Sequence, residues 1–539
     1  MPARAGRALR AGTVAAERVV STRVEVGQER EREHEPGQVP GRGQEQAGSD
    51  ERPARPTRAF SARASLAAPL RAWARLHIRT RWALALITAI GAVACLPGEL
   101  PAEMRLALFA FGAATVLWTL TDLEPGYVAL GAGLLACIPT GRQEQFFSAL
   151  GNDVVWLIIG AFIIGGATAG SGLAARLTSA IVGRARTVRG LMWMVTAAVV
   201  PLSFLVPSTS GRAAVLLPVY RSLTERLGDA RIAKALALLM PTVVLVSTTA
   251  TLVGATSHLV AVDLLQQTTG DTISYLQWAL WGAPFGIAAS VAVCVAVQAL
   301  FLRREERRRP IAQQVRLQPS GRSPLTRAER IVAAVVGLAL VGWLTEPLHG
   351  LGIAAVTIIA AVVLCAPGIG VMKWKEGVAA VSWPLVLFVA GALALGGALV
   401  ETGAGDWIVS SLFAVSGIGG LTSALALMVI IAALSVTAHL YVTSHTVRAI
   451  ALIPPFLALA ATADLSPVAV VFIVSIGIDY CLTLPVSSKA LLVFTDADGD
   501  GQGLDPRDLL RLSLVLLPAY IALMVVTYEL WWKHTGLAL

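Results

Sequence analysis

STSGRAAVLLP, Ser208–Pro218, and SHTVRAIALIP, Ser444–Pro454, carry Ser, Ser/Thr, Arg, Ala, Leu and Pro at the same spacing. Upstream of them, GAFIIGGATAGSG, Gly160–Gly172, aligns without a gap on GALALGGALVETG, Gly391–Gly403, with the pattern GAxxxGGAxxx[ST]G. The offsets, 231 and 236 residues, agree within a short insertion. Small residues on one helix face are a common packing device, but two matched pairs in the same order describe a duplicated chain.

The surroundings say where the duplication sits. Of 539 residues 55% are hydrophobic and 14% charged, and the mean hydropathy is +0.69, which excludes a soluble enzyme or nucleic-acid binder. A bilayer core needs roughly 20 apolar residues per helix, and such runs follow one another from Trp82 to Trp532. The alternation of an outer-membrane barrel is absent, and 6% aromatic residues is too few for two girdles. We expect an all-α polytopic protein of the inner, plasma membrane. Eleven transmembrane helices are expected near 82–97, 103–121, 126–139, 153–183, 232–264, 278–302, 330–346, 351–372, 383–413, 465–494 and 508–532. The apolar stretches 192–222 and 421–459 carry Pro, Ser, Thr, Arg or His in their middles and read as re-entrant hairpins.

Charge sets the orientation and divides the chain. Residues 1–81 hold 16 of the 43 basic and 9 of the 34 acidic residues, so most of the net +9 belongs to this tail. Rich in Arg, Glu, Gln, Gly and Pro, it reads as a disordered cytosolic segment. With the N-terminus inside, Arg184, Arg186 and Arg189, the basic stretch 303–329, and Lys373 and Lys375 all fall on the cytoplasmic side, whereas 263–277, 345–350 and 414–421 contain no Lys or Arg. The C-terminus then emerges outside. The halves, 82–302 and 330–539, have opposite topology, and inverted repeats with interrupted helices point to a transporter.

The breaks carry the chemistry. At the hairpin centres stand Ser208, Thr209, Ser210 and Arg212, and Ser444, His445, Thr446 and Arg448. A helix that starts inside the membrane offers free N–H groups and hydroxyls to an anion, and an intramembrane Arg that is no snorkelling anchor marks a ligand path. A second polar break follows each hairpin: Ser247 to His258, with Thr251 and Gly254, and Thr483 to Lys489, with Ser487 and Ser488. Asp479 just before the latter is either a structural counter-ion to Lys489 or Arg448, or the acceptor of a coupling proton. Cys95, Cys137, Cys294, Cys365 and Cys481 stand singly in apolar segments as packing residues. Asp496–Gly501 opens like a calcium loop, but Arg507 replaces its twelfth-position Glu, so no metal site is expected. No nucleophile frame surrounds Ser208–Gly211.

Hairpins, broken spans and inverted duplication together resemble the divalent-anion:sodium symporter family of the ion transporter superfamily, over 82–539. That family's tips read Ser-Asn-Thr before small residues and Leu-Pro, and its broken spans carry a Thr-Pro-Pro-Asn-like loop. Ser208–Ser210 and Ser444–Thr446 match the tips; Thr251–Gly254 and Leu484–Ser487 match the loop entrances. The resemblance implies secondary active transport of a small divalent anion, di- or tricarboxylate ahead of sulfate, by an elevator-type homodimer. Thr209 and His445 replace the Asn, and Pro-Pro-Asn is missing from both loops. Arg212, Arg448 and Lys489, with His258 and His445 nearby, lie where the family holds sodium with neutral oxygens, and fixed cations repel sodium while holding an anion. The expectation is therefore no cofactor, sodium dispensable, and coupling by anion exchange or by protons. The competing readings are an ion antiporter or metalloid-oxyanion exporter of the same superfamily, an anion channel, and an intramembrane enzyme.

Overall fold

A run of long apolar helices with short polar joints leaves the backbone one way to satisfy itself in lipid, hydrogen bonding within each helix. In the computed structural model, which describes residues 78–95, 100–121, 123–206, 208–311, 324–405, 407–408, 411, 423–495 and 503–539, most of the described residues lie in such helices. The main helices are α1 (Ile78–Cys95), α2 (Ala102–Leu120), α3 (Pro125–Cys137), α4 (Asp153–Ser171), α5 (Leu173–Val182), α6 (Val188–Leu205), α7 (Thr209–Leu227), α8 (Ala230–Val246) and α9 (Thr256–Thr269). After them come α10 (Tyr275–Phe301), α11 (Arg327–Leu344), α12 (Ile353–Cys365), α13 (Trp383–Glu401), α14 (Ala424–Thr437), α15 (His445–Thr462), α16 (Pro467–Ile478) and α17 (Pro506–Leu530). Two isolated bridges, Thr187 with Pro310 and Thr495 with Leu504, are the sole β pairings among the described residues. The tail up to residue 77, much of the basic loop, Pro207, Asp406 and the acidic stretch from Asp496 lie outside the described residues.

Nine helices among the described residues are long and apolar enough to cross a membrane. The expected span 153–183 is two helices, because Gly172 adopts φ 79 and ends α4. The expected span 232–264 is α8 and α9, parted by short 3-10 turns at Ser247–Ala250 and Leu252–Gly254. The expected span 465–494 is α16, an irregular stretch, and a short helix at Lys489–Leu492. The stretches 192–222 and 421–459 are each two helices: α6 and α7 meet at 206–208, α14 and α15 at 438–444.

Packing follows residue size. An 18-residue apolar stretch within Ala230–Ala250 is 94% buried inside the protein, while Ile78–Cys95 is 6% buried and turns its Trp82, Leu84 and Val93 outward. Between helices without a hydrophobic drive, close backbone approach supplies the contact energy. Gly126 and Gly133 of α3 let it lie on α13: a Cβ at either would come 2.9 Å from a backbone oxygen of that helix, and one at Gly391 would meet Ala129 at 2.7 Å. The matching Gly160 of α4 seats α12, where a Cβ would fall 2.8 Å from Thr357 Cγ2. Two crossed pairs, α3 with α13 and α4 with α12, thus use the repeated glycines, while α9 packs on α15 and α16.

Candidate functional site

Ser208 and Ser444 are N-caps: Ser208 Oγ accepts from Gly211 N at 3.2 Å and Ser444 Oγ from Val447 N at 3.4 Å. Each cap fixes a helix start, and four residues on, at the same helical position, stands an arginine with no exposed surface. Arg212 is tied to the first break: its Nη1 donates to Ser247 Oγ at 3.4 Å, its Nη2 to Thr248 Oγ1 at 2.7 Å and to the Gly254 carbonyl at 3.4 Å, leaving Nε without a partner. Arg448 is tied to the second by one bond, Nη1 to the Tyr480 carbonyl at 3.1 Å. Its Nε and Nη2, the edge that grips a carboxylate side-on, donate to no oxygen or nitrogen among the described residues, and the Cys481 thiol is the polar group beside the guanidinium.

The breaks meet at one ion pair. His258, in the first turn of α9, places Nε2 2.7 Å from Asp479 Oδ2 and Nδ1 3.2 Å from the Thr251 carbonyl. Asp479 follows α16, so this contact joins segments 221 residues apart in the chain. Its second oxygen, Oδ1, lies 3.9 Å from His445 Nδ1 and makes no hydrogen bond. His445 Nε2 in turn meets Cys481 Sγ at 3.0 Å. The first break is held from the side by α10: Trp278 stacks on His258 with ring centroids 4.5 Å apart and donates to Thr249 O at 3.1 Å, and Tyr275 OH receives Thr251 Oγ1 at 3.0 Å. Gly282 permits this approach, since a Cβ there would sit 2.2 Å from Thr249 O.

Other candidates are placed as follows. Ser208, Thr209, Ser210, Ser444 and His445 are half-buried and Thr446 is buried at the helix starts. Thr251, Gly254, Ser487 and Ser488 are buried; Ser488 caps the short helix through Ala490 N at 3.2 Å, and Ser487 Oγ is unpartnered. Lys489 is exposed and makes no ion pair among the described residues, and Asp479 has His258 as its hydrogen-bonded partner rather than Lys489, with Arg448 a nearby charge. Reading the sequence missed His439 and Ser513. Fully buried His439 binds Val436 O and Thr483 Oγ1, both at 2.6 Å; Thr483 reaches Ser513 Oγ at 2.7 Å and Tyr480 OH reaches the same Oγ at 3.0 Å. This network sits under the Tyr480 carbonyl that holds Arg448. Its signal was a histidine inside an apolar stretch, the same sign that marked His258.

A cavity of about 370 Å³ lies apart from these groups, along α9 and α13, lined among others by Gln145, Asn152, Gln267, Gly397 and Glu401. Among the described residues no group of three or more His, Cys, Asp or Glu could hold a metal ion.

The family model for the sodium:sulfate symporter transmembrane region matches residues 76–538. The chain belongs to that family. It is a membrane transporter of the divalent-anion:sodium symporter kind. Among curated relatives, a "membrane protein" of Cupriavidus necator is 26% identical over 456 residues, 80% of this chain and 88% of its own. The sodium-dependent dicarboxylate transporter SdcS of Staphylococcus saprophyticus is 22% identical over 69% of this chain and 76% of its own. The solved structure of the Alcanivorax borkumensis YdaH transporter matches with a TM-score of 0.54 at 18% identity, covering 80% of this chain and 99% of its own, which is a likeness of fold.

Proposed function

We propose that this symporter-family protein is a secondary carrier of small divalent anions, dicarboxylates first, that runs without sodium by anion exchange or proton coupling. The observation that carries the reading is the side-on edge of Arg448: two charged donors, wholly buried and unpartnered, cost about 1–3 kcal/mol each until an acceptor arrives, and a planar carboxylate fits both at once. The name of the staphylococcal relative supports a dicarboxylate, and the family model's own name makes sulfate the second reading. Lys489, being exposed, no longer supports the sodium argument; it rests on the buried Arg212 and Arg448. The glycine-seated pairs α3–α13 and α4–α12 support an inverted repeat with α6–α7 and α14–α15 as its hairpins; eleven spans rest on the apolar runs of the sequence, and an elevator-type homodimer is carried over from the family resemblance alone. Labelled succinate in sodium-free proteoliposomes tests the reading. Saturable counterflow is expected. Conductance far above carrier turnover would make the protein a channel, chemical conversion of the anion an enzyme, and uptake that appears in a saturable way only on adding sodium would restore ordinary sodium coupling.

A further inference from the structure

We propose that His258 and Asp479 hold one exchangeable proton, and that this proton is bound together with each dianion; the proposal rests on the carrier reading above. The proton count follows from hydrogen-bond chemistry. Thr251 O, a carbonyl, only accepts, so at 3.2 Å His258 Nδ1 is the nitrogen that donates. Nε2 then faces Asp479 Oδ2 at 2.7 Å. A bare imidazole nitrogen and an ionised carboxylate bring lone pair against lone pair, and this contact holds together with one proton in it, as imidazolium–carboxylate or as imidazole–carboxylic acid. Both side chains have no exposed surface, so water does not take the proton's place.

The groups packed round the pair supply the coupling. Arg212 comes from α7, His445 and Arg448 from α15, Tyr480 and Cys481 from the stretch after α16, Tyr275 with the Trp278 ring from α10, and Tyr520, whose OH is taken by the Ile476 carbonyl, from α17. With His445 neutral, the protonated pair carries no net charge and the two arginines leave two positive charges, which a dianion cancels. Loss of the proton leaves one. The dianion therefore favours the proton, and by reciprocity the proton favours the dianion by the same factor. Raising the pH strips the pair and weakens anion binding. The proton enters from the side on which the anion binds and leaves with it on the other.

Asp479→Asn is the informative variant, because its carboxamide N–H can donate to Nε2 and satisfy the pair without an exchangeable proton. Succinate binding to the purified protein is measured by calorimetry in buffers of different ionisation enthalpy. The wild type should lose at least about five-fold in affinity between about pH 6.5 and about pH 8.5 and, as that slope requires, take up on average about a third of a proton or more per succinate over that range, while Asp479→Asn should take up none and show a flat profile. A pH-independent wild type without proton uptake, or a variant that retains it, overturns the proposal. Infrared pH-difference spectra of the unliganded wild type, with and without ring-labelled histidine, are a second readout that needs neither the variant nor an anion: one imidazolium or carboxyl band should disappear as the pH rises, and its absence overturns the shared proton. Failure of the wild type to bind any dianion removes the carrier reading and the coupling, while the infrared result still decides whether the pair holds a proton.

Discussion

Arg212 and Arg448 occupy the same turn of matched helices, yet their hydrogen bonds assign them different work. Arg212 spends three bonds on Ser247, Thr248 and Gly254, which fixes the first break; Arg448 spends one on Tyr480 and keeps its side-on edge bare. Lysine keeps the charge of either but not the planar fork. Arg448→Lys should therefore weaken succinate binding by about 1.5–3 kcal/mol, ten-fold or more in Kd, with little change in thermal stability. Arg212→Lys should show the reverse emphasis, a lower melting temperature of the detergent-solubilised protein and a smaller change in Kd. Equal losses of affinity in the two variants would refute the division of labour.

Helices in this molecule touch where a glycine allows it, and the sign of a glycine substitution can be read from what a Cβ would meet. At Gly477 in α16 it would fall 1.9 Å from Ser435 Oγ of α14, a hydroxyl already bonded to Ile431 O at 2.7 Å. Gly477→Ala should destabilise by about 1–3 kcal/mol through overpacking. Gly337, in α11, has nothing within 4 Å of the same position, and Gly337→Ala should stabilise by up to about 1 kcal/mol through helix propensity. Thermal unfolding in one detergent checks both, and a neutral Gly477→Ala would mean that α14 and α16 sit farther apart than described. The repeated motif was legible as glycine spacing, Gly160 with Gly391, but which helix each would seat was not: spacing within a segment says nothing about its partner, and the partners proved to be α12 and α3.

For the whole molecule, charge asymmetry predicts sidedness. In a protein stripped of native cysteines, Arg308→Cys in the basic stretch should react with impermeant reagent from the cytoplasmic side only, and Thr269→Cys, at the end of α9 in a segment free of Lys and Arg, from the opposite side only. Labelling of both from one face would break the span count and the inverted repeat together. Both positions are exposed, so access does not limit the test.

The sequence by itself determined that the chain is a helical membrane protein, because hydropathy and the length a bilayer demands are local properties that no fold can evade. It also located the helix starts at Ser208 and Ser444, since an N-cap is a contact between residues three apart. Tertiary structure decided which charges are satisfied. Lys489 and Asp479 are ten residues apart in sequence, but the short helix carries Lys489 to the surface while Asp479 finds His258, 221 residues away. That pairing is set by how α9 packs against α15 and α16, a long-range contact with no local signature. For the same reason the bare edge of Arg448 could be seen only once every neighbouring acceptor had been placed.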